Sequence, residues 1–222
     1  MSRQVFLHPI ANTIAKLLIL GIVGGAVGLT VFSMLVARSP LMAQVDIAPV
    51  QPVPFSHEHH VDGLGLVCRY CHVYVEDSAF AGVPQTEICV GCHSQVWADS
   101  PTLAPVLDSY KANESLEWNR VYDLPDYVYF NHSIHINKGV ACVSCHGQVN
   151  EMPIVRKQST LHMDWCLDCH RNREDNIRPR SEVFDMHWEA PEDLEALRQR
   201  LVEDYHVDVE QFNITDCSIC HR

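Results

Sequence analysis

The stretch that decides the fold runs from Phe130 to His146 and reads Phe-Asn-His-Ser-Ile-His-Ile-Asn-Lys-Gly-Val-Ala-Cys-Val-Ser-Cys-His. It ends in Cys-x-x-Cys-His, the pattern through which c-type haem is attached to protein. Two thiols one helical turn apart add to the two vinyl groups of one haem, and the adjacent histidine lies beneath the iron as its proximal ligand. The segment therefore predicts a covalently bound haem that is held even where little protein surrounds it.

The same pattern occurs five times, and we number the motifs first to fifth in chain order. They are Cys68-Arg69-Tyr70-Cys71-His72, Cys89-Val90-Gly91-Cys92-His93, Cys142-Val143-Ser144-Cys145-His146, Cys166-Leu167-Asp168-Cys169-His170 and Cys217-Ser218-Ile219-Cys220-His221. Together they use all ten cysteines. Paired cysteines alone would also fit zinc ribbons or disulfides, but neither explains a histidine after every pair. The sequence predicts five c-type haems.

A second axial ligand is needed by each low-spin electron-transfer haem, so five more ligands are expected. The histidines outside the motifs are His8, His57, His59, His60, His132, His135, His162, His187 and His206. A Phe-x-His-x-x-His frame occurs twice, from Phe55 to His60 shortly before the first motif and from Phe130 to His135 shortly before the third. Four histidines in a repeated frame are better explained as ligands than as surface residues.

The second frame and the motif after it resemble the haem-binding segments of tetrahaem class III cytochromes. In that family the first histidine of the frame ligates the haem of the following motif, and the second reaches a neighbouring haem. The resemblance implies that His57 serves the first motif and His132 the third. It also implies that His60 and His135 each ligate another haem close by.

The fifth distal ligand is left open by this pattern. His162 and Met163 directly precede the fourth motif and therefore lie on the proximal side of its haem, from which they reach a neighbouring haem more easily. His187 and His206 are the alternatives, and we favour Met163 or His162. The choice matters because methionine ligation raises the potential relative to two histidines. His59 breaks the spacing of its frame and is interpreted as solvent-facing or as a haem-propionate contact.

One apolar segment, from Leu17 to Ala37, contains no charged residue and reaches the roughly 20 residues that a membrane-spanning helix needs. The apolar part of a cleaved signal peptide is shorter, about 7–15 residues, so a retained anchor is favoured. Arg3 and Lys16 before it give a modest positive-inside bias. Bacterial c-type haem is attached outside the cytoplasmic membrane, which predicts the same orientation, with the N-terminus inside. His8 is then excluded as a ligand by topology.

Four segments follow from these observations: a cytoplasmic N-terminus at residues 1–16, a transmembrane helix at 17–37, a proline-rich linker at 38–54 and a periplasmic pentahaem domain at 55–222. No part of the domain shows sustained strand alternation. Pro191 to Tyr205 begins with proline, has acidic residues in its first turn and leucines at helical spacing, which predicts an amphipathic helix. The expected fold is mostly α and irregular, with class III-like haem packing in place of a side-chain core.

The composition excludes one class of partner. With 16 Lys plus Arg against 28 Asp plus Glu, the formal charge is −12. Binding to nucleic acid depends on basic side chains that neutralise phosphates, so nucleic acid is not expected as a partner.

Over nearly its whole length the chain resembles the membrane-anchored pentahaem cytochromes c of alternative complex III. The resemblance covers the single span, the proline-rich linker, both frames, all five motifs and the segment from His162 to Asn172. It implies an electron-transfer subunit, not a catalyst, in a complex that oxidises quinol and reduces a periplasmic acceptor. The implied partners are polytopic quinol-binding membrane subunits, an iron–sulfur subunit, another c-type cytochrome and the lipid bilayer.

Two other classes of function remain as alternatives. A stand-alone single-span quinol dehydrogenase feeding a periplasmic reductase would usually place its first haem close to the membrane, whereas here a proline-rich linker intervenes. A multihaem enzyme would need one open haem, often with an unusual proximal ligand, whereas all five motifs end in histidine. The spin state of the irons distinguishes the enzyme from the relay.

Overall fold

The computed structural model describes residues 9–207 and 213–221. The chain divides into two compact units, residues 1–44 and residues 45–222. His8 and Arg3, on which the expected topology drew, lie outside the described residues, as does Arg222 at the end of the expected haem domain.

The first unit is built on one helix, α1 (Pro9–Ala37). Its residues from Ile10 to Ala37 are long and apolar enough to cross a membrane, by length and composition. The helix ends at Ala37, as expected for the span at 17–37. It begins at Pro9, before the expected start at Leu17, because the residues between these two are also helical.

The second unit consists of short helices joined by irregular segments. The α-helices are α2 (Cys68–Cys71), α3 (Thr86–His93), α4 (Ala104–Ala112), α5 (His132–Asn137), α6 (Cys142–His146), α7 (Met163–Arg171), α8 (Leu194–Tyr205) and α9 (Cys217–Cys220). A π-helical turn spans Glu58–Gly63, and 3₁₀ turns span Pro101–Leu103, Val149–Glu151, Arg173–Asn176 and Arg180–Glu182. Among the described residues there is no β-strand, only three isolated bridges. The mostly helical and irregular fold is thereby confirmed.

Every Cys-x-x-Cys-His motif lies on a helical turn. In the first, third and fifth motifs the helix is little more than the motif itself, as in α2, α6 and α9. In the second and fourth motifs the cysteines form the later part of a longer helix, α3 and α7. Residues three apart on a helix are neighbours on its surface, so each motif presents two thiols side by side.

Among the described residues, buried apolar side chains form three small clusters. The first contains Val53, Leu103 and Val106, with Cys89 of the second motif against it. The other two contain Val75, Ile136 and Val183, and Ile177, Leu201 and Val207. Domains of ordinary composition build one contiguous core, whereas here the clusters are small, and the first two pack against the motif cysteines Cys89 and Cys142.

Part of the expected linker belongs to the second unit. Gln51 donates from Nε2 to the backbone oxygen of Asn119 at 2.8 Å and accepts the Asn119 amide at 3.0 Å. Val53 is only 5 % exposed and packs in the first cluster. Residues 45–54 therefore belong to the second unit, because their polar groups form hydrogen bonds with residues of that unit.

The amphipathic helix expected from Pro191 to Tyr205 is α8, which begins at Leu194. Leu201 is buried beside Leu197, Val202 and Tyr205, so this helix packs with its apolar face as its spacing indicated.

Candidate haem-binding sites

The ten cysteines are all present as free thiols, and none forms a disulfide. Burial raises the pKa of Cys142 and of Cys145 to about 12, so these thiols are neutral at physiological pH. In the part of the chain that the structure describes, no group of three or more His, Cys, Asp or Glu side chains is arranged as a cage for a bare metal ion.

Four of the five motif histidines share one hydrogen-bond pattern. Their Nδ1 atoms lie within hydrogen-bond distance of backbone oxygens: His72 with Gly82 at 2.7 Å, His93 with Val96 at 2.9 Å, His170 with Ile214 at 3.1 Å and His221 with Tyr127 at 3.2 Å. A carbonyl oxygen only accepts, so Nδ1 carries the proton in each ring. The Nε2 lone pair is then free to bind a metal, which is how partners around metal sites orient histidine ligands.

The same pattern recurs in the histidines of the two Phe-x-His-x-x-His frames. Nδ1 of His60 donates to the Ser56 oxygen at 2.8 Å, and Nδ1 of His135 donates to the Asn131 oxygen at 2.7 Å. Nδ1 of His132 donates to the Ala79 oxygen at 3.0 Å. Nε2 of these three rings is therefore unprotonated, which is the tautomer that iron ligation requires.

The two frames have nearly the same internal geometry. The ring centres of Phe55 lie 4.8 Å from His57 and 4.4 Å from His60, and those of Phe130 lie 4.7 Å from His132 and 4.4 Å from His135. In each frame the first histidine meets the phenylalanine edge-on and the second stacks on its face. The sequence repeat is therefore also a structural repeat, with phenylalanine fixing both imidazoles.

Three histidine pairs have the spacing of two axial ligands on one metal ion. Ring centres lie 6.2 Å apart for His60 and His93, 6.3 Å for His132 and His146, and 6.1 Å for His135 and His170. With metal–nitrogen bonds of about 2 Å, two imidazoles on opposite sides of one ion have ring centres roughly 6 Å apart. Each pair joins one frame histidine to one motif histidine.

Direct ring stacking does not explain this spacing. Where two rings of this protein do stack in contact, as Phe130 does on His135, their centres are 4.4 Å apart. The near-parallel pair His132 and His146 is 6.3 Å apart, which leaves room for an ion between the rings. The donor sets therefore fit haem iron.

His57 has a different environment from the other frame histidines. Its Nδ1 is buried and has no hydrogen-bond partner among the described residues. Burial, followed by the nearby rings of His72 and His60, lowers its pKa to about 4. The ring is therefore neutral, as a metal ligand must be, and it lies near the histidine of the first motif.

His146 of the third motif is also held neutral. Burial and the neighbouring rings of His132, His72 and His57 lower its pKa to about 4. The Tyr122 ring packs against it with centres 4.3 Å apart. Histidines from the first and third motifs and from both frames therefore lie in one region.

The candidates for the fifth distal ligand differ in what their atoms contact. Nε2 of His187 lies 3.1 Å from Oδ1 of Asp62 and 3.2 Å from Nδ2 of Asn150, so it is already engaged. His206 follows α8 with φ of 51°. His162 caps α7 through its backbone, and Met163, the first residue of α7, is 65 % exposed.

Sequence reasoning missed the carbonyl groups that orient the histidines, because every residue has such a group. One local signal was available at Gly82, whose φ of +87° favours glycine. A Cβ there would lie 3.0 Å from Cδ2 of Tyr74. The residue whose oxygen accepts the hydrogen bond from His72 thus has a backbone conformation that other residues adopt only with strain.

No family model matches the chain. The multihaem cytochrome c subunit of menaquinone reductase from Nitratidesulfovibrio vulgaris is 29 % identical to it over 180 residues, which are 78 % of this chain and 77 % of that protein. The similarity thus covers most of both proteins. The chain is similar to a multihaem cytochrome c subunit, and its described residues have the mostly helical, irregular architecture expected of one.

Proposed function

We propose that this chain is an electron-transfer subunit with five covalently bound c-type haems, working in a membrane quinol oxidoreductase of the alternative complex III type. The observation that carries the proposal is the spacing of 6.1–6.3 Å between frame and motif histidines. Irons with two protein ligands have no open position for substrate, and such irons relay electrons.

The chain's own residues supply the attachment points and ligands. Attachment is assigned to Cys68, Cys71, Cys89, Cys92, Cys142, Cys145, Cys166, Cys169, Cys217 and Cys220. The proximal ligands are His72, His93, His146, His170 and His221. The distal ligands are His57 for the first site, His60 for the second, His132 for the third and His135 for the fourth, and Met163 or His162 for the fifth.

Met163 is favoured for the fifth site by its place on α7. It lies one turn before Cys166, so the two side chains share a face of the helix. Burial and then the nearby Cys220 thiol raise the pKa of Cys166, so this face lies near the fifth motif. His162 precedes the helix and is the second choice, while the bonds of Nε2 in His187 argue against that residue.

Bound haem supplies reversible one-electron transfer. The protein's part would be to orient seven of these histidines by a backbone carbonyl, to keep their Nε2 atoms unprotonated and to supply two ligands for each iron. Hydrogen bonds from Nδ1 raise the basicity of the ligating nitrogen. All of these contributions set potentials and geometry, and none activates a substrate.

Membrane attachment is assigned to α1. Its residues from Ile10 to Ala37 match the length and composition of a spanning helix. The motifs require haem attachment outside the cytoplasmic membrane, so we place the haem unit in the periplasm and the N-terminus in the cytoplasm. The expected partners are polytopic quinol-binding subunits, a second c-type cytochrome and an iron–sulfur subunit.

The opposite direction of electron flow is the second candidate. The similar protein from Nitratidesulfovibrio vulgaris belongs to a menaquinone reductase, so a related complex would carry electrons from a periplasmic donor to quinone. The ligand sets serve either direction, because a haem relay passes electrons down whichever potential difference its partners impose.

The test begins with purification of the native protein in mild detergent and mass spectrometry of the bound subunits. Several polytopic subunits, a second c-type cytochrome and an iron–sulfur subunit are expected. If the protein is recovered alone, or with only a soluble reductase, the result would contradict its assignment to this complex and favour a stand-alone quinol dehydrogenase. Haem reduction by quinol, compared with haem oxidation by quinone, then distinguishes the two directions.

A further inference from the structure

We propose that the five haem sites form one unbranched row in the order second, first, third, fourth, fifth, so that the sites of Cys89–His93 and Cys217–His221 are its two ends. The inference deepens the proposed function and depends on its five-haem load. It differs from the order of the motifs along the chain, and each of its four links is a specific contact between described residues.

The second and first sites are linked through the first frame. His60 lies in the π-helical turn and faces His93, with ring centres 6.2 Å apart, while His57 directly precedes that turn. The Phe55 ring contacts both His57 and His60, and the backbone amide of Leu66, two residues before Cys68 of the first motif, donates to the His60 oxygen at 3.0 Å. Two ligands only three residues apart thus serve two sites, which brings those sites side by side.

The first and third sites are linked through the loop of residues 79–82. The Gly82 oxygen accepts from Nδ1 of His72, and the Ala79 oxygen accepts both Nδ1 and the backbone amide of His132, at 3.0 and 3.1 Å. One short loop therefore orients a ligand of each site. Cys142 also packs against the cluster that contains Val75, three residues after His72.

The third and fourth sites are linked through α5. His132 and His135 lie one turn apart on this helix, and they face His146 and His170 at 6.3 and 6.1 Å. A helical turn holds its side chains about 5–6 Å apart, so two sites served by one turn are adjacent.

The fourth and fifth sites are linked by the segment before α9. The Ile214 oxygen, three residues before Cys217, accepts from Nδ1 of His170 at 3.1 Å. On the other side of the fifth motif, the Tyr127 oxygen accepts from Nδ1 of His221. Tyr127 lies three residues before Phe130, whose ring stacks on the fourth-site ligand His135.

The exposure of the cysteines is a separate observation that supports the second and fifth sites as the two ends of the row. Cys92 and Cys217 are exposed, and the other eight cysteines are half-buried. The two exposed thiols belong to the second and fifth motifs, the two ends of the proposed row. Electron exchange with a partner needs a haem near the surface, so these ends are the points of entry and exit.

The direct test is the structure of the haem-loaded chain in its native complex, determined by cryo-electron microscopy. The shortest iron–iron separations are expected between the second and first, first and third, third and fourth, and fourth and fifth sites. A second site adjacent to the third or fifth, or a branch at any site, would overturn the row. The haem content of the same sample, by pyridine haemochrome, tests the five-haem load separately.

Paired cysteine variants of the full chain give a solution test. Loss of the second haem in Cys89→Ala/Cys92→Ala should shift the potential of one remaining haem. Loss of the third in Cys142→Ala/Cys145→Ala should shift two, because the repulsion between charged irons falls with distance. NMR of the haem methyl groups during a redox titration counts the shifted haems in each variant. The same number in both variants would contradict the order. Should the central variant fail to fold, the iron positions of the native protein decide.

Discussion

The rings of His132 and His146 face each other across 6.3 Å with their planes within 14° of parallel. His135 and His170 form a similar pair, 6.1 Å apart with planes at 25°. Between His60 and His93 the distance is almost the same, 6.2 Å, but the planes are inclined by 65°. The three histidine pairs therefore have nearly the same spacing but differ in the relative orientation of their imidazoles.

This difference predicts two kinds of low-spin iron signal. Parallel imidazoles split the iron π-type d orbitals strongly, whereas crossed imidazoles leave them nearly degenerate. We expect rhombic electron paramagnetic resonance signals from the third and fourth sites and a highly anisotropic signal from the second. Loss of the anisotropic signal in His60→Ala, with the rhombic signals intact, would identify its source. A rhombic spectrum from all sites would contradict the crossed geometry at His60 and His93.

Removal of a frame histidine should open one iron and leave the others unchanged. In His135→Ala the fourth site loses its distal ligand, so one haem is expected to change from low to high spin in the optical and paramagnetic resonance spectra. His135→Met should restore six-coordination and raise the potential of that site.

The matched control for this experiment is His187→Ala. Nε2 of His187 contacts Asp62 and Asn150, so every haem should stay low-spin in this variant. A high-spin haem in His187→Ala would instead make His187 a ligand.

Met163 and His162 are distinguished by a pair of single variants. Met163→Leu should remove the sulfur-to-iron absorption of the fifth haem and leave that haem high-spin, while His162→Ala should leave both unchanged. Met163→His should lower the highest potential of the set, because bis-histidine ligation gives lower potentials than histidine–methionine. The reverse pattern would assign the fifth site to His162.

Substitution of Gly82 tests the loop between the first and third sites. Gly82→Ala places a Cβ 3.0 Å from Cδ2 of Tyr74 at φ of +87°, and such strain costs about 1–3 kcal/mol. The shifted carbonyl should also bond His72 less well, which reduces ligand basicity and raises the potential of the first haem. Thermal unfolding and a redox titration measure the two effects.

Gly63→Ala is the control for the Gly82 variant, since its Cβ would meet neighbours at 3.6 Å or more. A smaller fall in melting temperature and unchanged potentials are expected. Equal effects in both variants would mean that the Gly82 carbonyl has no special role at His72.

Asp62 should stabilise the fold in a pH-dependent way. Hydrogen bonds from Asn150 and then His187 hold the pKa of Asp62 below its ordinary value. Its contribution is therefore present above the unfolded-state pKa of about 3.9 and is lost as pH falls through the lower folded-state value. Asp62→Asn should lower the melting temperature at pH 7, and the difference should shrink below about pH 4.

Asp99→Asn, at an exposed position, serves as the control for Asp62→Asn. Its melting temperature should follow that of the native protein across the same pH range. A difference for Asp62→Asn that stays constant down to about pH 3 would show that the carboxylate charge is not what stabilises this contact.

The sequence by itself determined the features that lie within one or two helical turns. Each motif holds both thiols and the proximal histidine in five consecutive residues, so its chemistry is local and readable without a fold. The two frames were recognisable for the same reason, since Phe130, His132 and His135 fix one another over six residues. The helical, irregular fold and α8 followed from spacing in the same way.

Only the tertiary structure decided which remote groups meet. His60 faces His93 and His135 faces His170 because packing brings together segments with no shared local pattern. The same holds for the carbonyl of Gly82 beside His72, since every residue carries that group and only its position distinguishes it. The cysteines and histidine of each motif are neighbours in the chain, whereas the proposed axial pairing and order of the sites depend on contacts between remote segments.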